Sequence, residues 1–202
     1  MILPSDLEAQ HVGTFWLLDL TDALPPGVVA RVPVTFQRAD IPELARAMGL
    51  SDQAEILRRF AAGKQCYTGK VDGKLATYGW VTFDKEDIGE LGVSLHLQPG
   101  EAYIWDCATL PAYRGQLLYP ALLSYILAEL RASGLRRIWI GADADNIPSQ
   151  RGMVRAGFHP VADVLLAVPS GPHRLWLRGC PGATEQEIQD IHAAIFGEVR
   201  EI

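Results

Sequence analysis

The sequence predicts an α/β fold, and three observations carry that reading. Residues 101–110 are rich in aromatic and β-branched types and stop at Pro111, which makes them a strand. Beyond a turn through Pro111 and Arg114-Gly115, Leu118, Leu122, Ile126 and Leu130 recur every fourth residue, with Tyr119, Leu123 and Leu127 beside them, giving a broad helix face. After Gly134, residues 137–141 form a short buried strand, which the crossover rule makes parallel to the first. Pro120 belongs in the first helical turn because it has no N–H to give. A strand that feeds straight into a helix leaves backbone N–H groups unpaired at the helix start, with the positive end of the macrodipole behind them. That corner is an anion site, above all for phosphate, and Arg114 adds a fixed positive charge.

Composition narrows the function. With 202 residues, 49% of them hydrophobic, the chain can bury the core of one large domain or of a domain with a small extension. A formal net charge of -6 and the lack of any Lys or Arg run argue against nucleic acid as a partner. The amino terminus has no basic region ahead of a long apolar stretch, and the run 15–20 is too short to cross a bilayer, so a soluble, cytoplasmic protein without a membrane partner is expected. Cys66, Cys107 and Cys180 are odd in number and widely spaced, without a CxxC pair, which indicates reduced thiols and no metal site.

In chain order, residues 14–20 read as a strand, and 22–27 as a turn into a second strand over 28–37, the two forming a hairpin at the sheet's edge. Asp40, Pro42 and Glu43 mark a capped helix start that ends near Gly49. Ser51 begins another helix with Ile56, Leu57 and Phe60 on one face, stopping at Gly63. Arg46, Arg58 and Arg59 read as solvated face residues rather than contacts to an acidic acceptor. Residues 65–83 contain a hairpin about Asp72-Gly73, a pair suited to the positive φ of a type I′ turn. Residues 91–97 alternate as a strand, and Pro99-Gly100 turns the chain into the central one. His159 and Arg174 open the last two strands, and Thr184 with Glu187 forms a capping box for an amphipathic helix using Ile188, Ile191 and Ile195. This helix can dock on its own domain or on a second copy, giving a homodimer.

Two segments then resemble one family. Pro111-Ala112-Tyr113-Arg114-Gly115 followed by a helix is similar to the R-x-x-G-x-G/A loop of the GNAT superfamily of acyl-CoA-dependent N-acyltransferases, with Leu117 and Tyr119 where that family usually has glycines. Asn146, Ser149 three residues on, and Gly157-Phe158 eleven residues after the Asn resemble its later motif, in the correct order. The resemblance covers about residues 28–168. It implies one GNAT-like domain over 1–202, with 1–27 an N-terminal strand extension, 169–202 a C-terminal strand and helix, and a mixed sheet of about six to seven strands flanked by helices.

The resemblance also implies site roles. Main-chain N–H groups of Arg114, Gly115, Gln116, Leu117, Leu118 and Tyr119 would hold the pyrophosphate of acetyl-CoA as co-substrate. A bulge would turn main-chain groups near Asp106, Cys107, Ala108, Thr109 and Leu110 toward pantetheine and the acyl carbonyl, and Asn146 with Ser149 would contact the pantetheine arm. Asn146 is equally a helix N-cap. Where the family often has a Tyr near the thioester sulfur, seven residues after the Asn, this sequence has Met153. Tyr119 or Tyr113 is the substitute acid, and each also reads as a packing aromatic. Among the base candidates Asp106, Glu101, Glu90 and His96, Asp106 leads, because Trp and Ile neighbours would raise its pKa; the other reading is a structural carboxylate bonded to backbone. Tyr103 and Trp105 form either an aromatic acceptor wall or core, and Cys107 reads as a small buried hydrophobe. The expected activity is acetyl transfer to a primary amine of a small molecule or peptide by direct attack in a ternary complex. A longer acyl-CoA or an acyl carrier protein, and a non-catalytic ligand sensor, are the alternatives.

Overall fold

The computed structural model describes residues 8–21, 23–40, 53–167 and 174–197. Ten strands and four helices follow in order: β1 (Ala9–Asp19), β2 (Thr35–Arg38), α1 (Gln53–Ala61), β3 (Gln65–Val71), β4 (Lys74–Thr82), β5 (Lys85–Ile88), β6 (Val93–His96), β7 (Glu101–Thr109), α2 (Leu118–Ala132), β8 (Arg137–Asp143), α3 (Ile147–Ala156), β9 (His159–Ala167), β10 (Arg174–Gly179) and α4 (Glu185–Phe196). Eight strands make one mixed sheet in the order β10-β9-β1-β8-β7-β4-β3-β2, and β5 with β6 forms a separate hairpin. The sheet is thus one or two strands wider than expected. Of the helix expected from Asp40 to Gly49, residues 41–49, Arg46 among them, lie outside the described residues, as does the helix start at Ser51.

The central unit forms as the sequence predicts. β7 pairs with β8 in parallel, and α2 crosses between them. Leu118, Leu122, Ile126 and Leu130 are all buried on this helix, the last three packed with Ile104, Ile138 and Ile140 of the sheet and Leu118 with Val71 and Ala76. The hairpin of β3 and β4 turns at Asp72 and Gly73, with φ of 49° and 73°. On the opposite face, Leu95 of β6 and Ile191 and Ile195 of α4 close over Phe15, Leu17, Tyr103 and Trp139. The capping box of Thr184 and Glu187 is present, and α4 docks on its own domain.

The amino-terminal hairpin does not form. β1 lies inside the sheet between β8 and β9, antiparallel to both, while β2 is the far edge and pairs only with β3. The physical reason lies in β1 itself: residues 14–18 are buried without alternation, as a strand covered on both faces requires. Of the expected strand 28–37 only residues 35–37 lie in a ladder, which runs on to Arg38. The preceding segment instead straps the start of α2, where Ala30, Val32 and Val34 pack with Leu118 and Tyr113.

Candidate active site

The ladder between β7 and β8 runs from Glu101 opposite Arg137 to Ile104 opposite Ile140 and then stops, although both strands continue. The split opens a cleft of about 580 Å³, whose lining includes Trp105, Asp106, Cys107, Tyr119, Asn146 and Ser149. A bulge shapes its rim. Tyr78 pairs with Ala108 and Trp80 with Trp105, so Gly79 alone faces both Asp106 and Cys107. Asp106 takes the left-handed conformation, φ 42°, which turns this part of β7 out of the regular pleat. On its β8 side, β7 has no ladder partner beyond Ile104 among the described residues, and Trp105, Asp106 and Cys107 line the cleft there.

Past β7, Pro111–Tyr113 makes a single 3₁₀ turn and the chain enters α2. Gly115 and Leu117 both have positive φ, 79° and 58°. Leu117 therefore adopts by itself the conformation that a glycine would supply there, at about 1–2 kcal/mol. Among the described residues, the N–H groups of Gly115, Gln116, Leu117, Leu118 and Tyr119 have no acceptor, and Arg114 is exposed, donating only from Nε to Thr109 O at 3.3 Å. The corner is open to solvent rather than sealed. Arg31, unremarked in the sequence, sets a second guanidinium beside it by donating to Gly115 O at 3.2 Å.

Tyr119 occupies the second missing-glycine position, and Gly152 makes room for it: a Cβ on Gly152 would lie 2.5 Å from the ring. Ser149 Oγ donates to the Tyr119 hydroxyl at 3.1 Å, leaving the phenolic proton for another acceptor. Met153, by contrast, is 1% exposed and belongs to the core. Asn146 caps α3, its Oδ1 accepting from the Ser149 N–H at 3.2 Å while its amide nitrogen has no partner among the described residues. Tyr113 packs against the strap with Ala30 and Val32. Burial and the nearby Asp106 push the Cys107 thiol up to about 12, keeping it neutral.

The surroundings of Asp106 differ from the apolar ones expected. Arg59 of α1 donates from Nη1 to Asp106 Oδ2 at 2.5 Å and from Nε to Glu55 at 2.9 Å, with its guanidinium over Trp105 and Trp80, 4.4 and 5.0 Å from the ring centroids. Arg59 is thus a buried-side strut of the cleft, not a solvated face residue; Arg58 is exposed and pairs with Glu55. Oδ1 of Asp106 has no partner among the described residues. Glu86, which the sequence reading passed over, lines the same cleft at 5% exposure and is held by Lys64 at 2.8 Å; burial raises its pKa against the pull of Lys64. Glu90 lines the cleft as well. Glu101 and His96 do not: they border a second depression at the other end of β7, where Glu101 pairs with Arg137 at 3.3 Å.

A split sheet with a bulged rim strand and an amide-lined corner at its mouth defines an acyltransferase fold of the kind that the motifs resemble. The model of the acetyltransferase (GNAT) family matches residues 35–158, and the chain belongs to that family. No curated protein matches the sequence. Solved structures share the fold: a GNAT-family acetyltransferase from Colwellia psychrerythraea (12% identity, 79% of this chain and 56% of that one, TM-score 0.57), a GNAT protein from Sphaerobacter thermophilus (14%, 85% and 54%, 0.56), and a tandem GNAT protein from the clavulanic acid biosynthesis pathway (22%, 83% and 55%, 0.51). The chain spans about half the length of these structures. No helix among the described residues is long and apolar enough to cross a membrane, which says nothing of β-barrels.

Proposed function

We propose that the chain transfers an acetyl group from acetyl-CoA to a primary amine of a small molecule or peptide by direct attack in a ternary complex. The observation that carries this reading is the cleft at the split of β7 and β8, lined by the bulge residues Asp106 and Cys107 and by Tyr119, the residue in the first turn of α2 that follows the open, amide-lined corner. The residues fit the coenzyme: five unpaired N–H groups and Arg114 suit a pyrophosphate, and the main chain from Trp105 to Cys107, which lines the cleft without a ladder partner on its β8 side, suits a pantetheine arm, with Asn146 in the same lining. Because Leu117 keeps the left-handed bend, the loop can cup a pyrophosphate, which favours free coenzyme over a carrier-bound arm.

When bound, the coenzyme supplies a thioester whose thiolate leaves readily. In this reading Tyr119 gives its proton to that sulfur, which is supported by Ser149 donating to its oxygen and so leaving the phenolic proton free. The free Oδ1 of Asp106 accepts the proton of the attacking ammonium through water, while Arg59 fixes the carboxylate in place. Glu86 is the second candidate base, favoured by its raised pKa and opposed by Lys64, which occupies its carboxylate.

The test is calorimetric titration of acetyl-CoA into the wild type and Arg114→Glu, followed by acetylation assays on an amine panel. Loss of a charged hydrogen bond of about 1.5–3 kcal/mol should weaken binding about ten- to hundredfold with an unchanged thermal melt. Unchanged affinity would remove the corner as the anion site, and binding without turnover on any amine would leave a sensor.

A further inference from the structure

The acceptor end of the cleft carries charge that the protein itself does not neutralise. Arg59, Glu86, Asp87, Glu90, Asp106 and Asp143 border it. Most are matched: Arg59 spans Glu55 and Asp106, Lys64 holds Glu86, and Lys85 holds Asp87 at 2.9 Å. Glu90 and Asp143 have no cation and no side-chain donor among the described residues. They come from different elements, Glu90 from the turn between β5 and β6 and Asp143 from the end of β8. Their convergence on one cleft is tertiary, not a local acidic run.

A third group meets them there. Tyr103 of β7 is 7% exposed and lines the cleft, yet its hydroxyl has no hydrogen-bond partner among the described residues. The ring reaches across β8, so that a Cβ on Gly141, itself in the cleft wall, would lie 3.0 Å from the hydroxyl oxygen. Burial, together with the negative fields of Glu86, Glu90 and Asp143, holds this phenol above the ordinary tyrosine range. The hydroxyl oxygen is not sealed from solvent but opens on the cleft, free to accept from a ligand there. An oxygen facing two uncompensated carboxylates suits an ammonium, which brings three N–H donors. The Tyr103 hydroxyl lies against Gly141 of β8, on one flank of β7, whereas the Asp106 carboxylate is held by Arg59 of α1 over Trp80 of β4, on the other. The reacting nitrogen at the bulge and a cation at Tyr103 are therefore separate places.

We propose that the acceptor is a dication, an alkyl diamine or polyamine, whose second protonated amino group is held by Glu90, Asp143 and the Tyr103 hydroxyl while the first reaches Asp106. This deepens the acetyltransfer reading and rests on it. The step conserves atoms: the acyl carbon–sulfur bond breaks as the carbon–nitrogen bond forms, the first ammonium proton goes to Asp106 by way of water and on to solvent, the thiolate takes one from Tyr119, and the second proton that the nitrogen sheds on becoming an amide returns through water to Tyr119. The distal ammonium is unchanged.

The experiment compares spermidine and 1,4-diaminobutane with butylamine, in binding to the protein with and without coenzyme A and in kcat/KM with acetyl-CoA, at low salt. The wild type should favour the dications at least about tenfold over butylamine, an advantage that shrinks with added salt. In the Glu90→Gln/Asp143→Asn double variant the ratio should fall toward one, and in Tyr103→Phe it should fall about three- to tenfold, with circular dichroism reporting an intact fold. Equal use of monoamine and diamine by the wild type, or a preference that survives the double variant, overturns the proposal. If acetyl-CoA binds but no amine is acetylated, the binding ratio alone decides the dication site, and the acetyltransfer reading fails separately.

Discussion

Single residues decide whether this site can work with an altered loop. Leu117 bends as a glycine would, and Tyr119 takes a place that Gly152 vacates, so two departures from the family pattern are absorbed locally. Tyr119 gains in the exchange a hydroxyl that Met153, buried in the core, lacks. Tyr119→Phe should lower kcat about ten- to hundredfold, the modest end for a general acid because a thiolate leaves easily, with KM for acetyl-CoA little changed. Asp106→Asn should shift the pH dependence of turnover, whereas a profile identical to wild type would pass the base role to Glu86 and to Glu86→Gln as the next variant. The turn at Arg114 and the Asn146 cap over Ser149 were legible because both are local features of the chain. The pairing of Arg59 with Asp106 was not, since the partners lie 47 positions apart and nothing in α1 singles out one arginine from its neighbour. Glu86 was hidden for the same reason, within a charged run that reads as surface until β5 is seen folding against Lys64.

At the level of elements, the bulge of β7 depends on its neighbour. A Cβ on Gly79 would lie 2.7 Å from Cys107 Sγ, so the glycine lets the bulged strand lean over β4. Gly79→Ala should destabilise the protein by about 1–3 kcal/mol through overpacking and should also depress turnover as the rim main chain moves. Adding Cys107→Ala removes the clashing sulfur, and denaturant melts should then recover part of the loss; a double variant no better than the single one would refute this packing account. The strand, turn and helix from β7 through α2 were readable because period, proline and glycine agree. β1 was misplaced because a turn rich in proline and glycine suggested a local hairpin, whereas its unbroken buried run already marked it as an interior strand.

For the whole molecule, acid sensitivity should arise far from the cleft. Burial raises the Asp163 carboxyl, but Arg178, Thr14 and His11 outweigh it and leave the pKa below its usual value; this residue ties β9 to β1 and β10. Glu187 is lowered in the same way, burial being outweighed by the Thr184 cap and His159. A lowered folded pKa gives stability that is complete above the unfolded value and is lost as pH falls through the folded one, here below about pH 4. Glu86, raised by burial, acts in the opposite sense, its contribution fading as pH rises through its folded value. Urea melts of Asp163→Asn should show lower stability at neutral pH and a shallower decline in acid; an unaltered acid slope would clear Asp163 of the role. The place of β1 has one more consequence. Its two neighbours in the sheet are β8 and β9, more than a hundred positions later in the sequence. During synthesis this apolar ribbon must wait, unmated, until most of the polypeptide has emerged. Its late insertion would then seal the sheet, making residues 9–19 the natural target for a holding chaperone and the point where a stalled chain would aggregate.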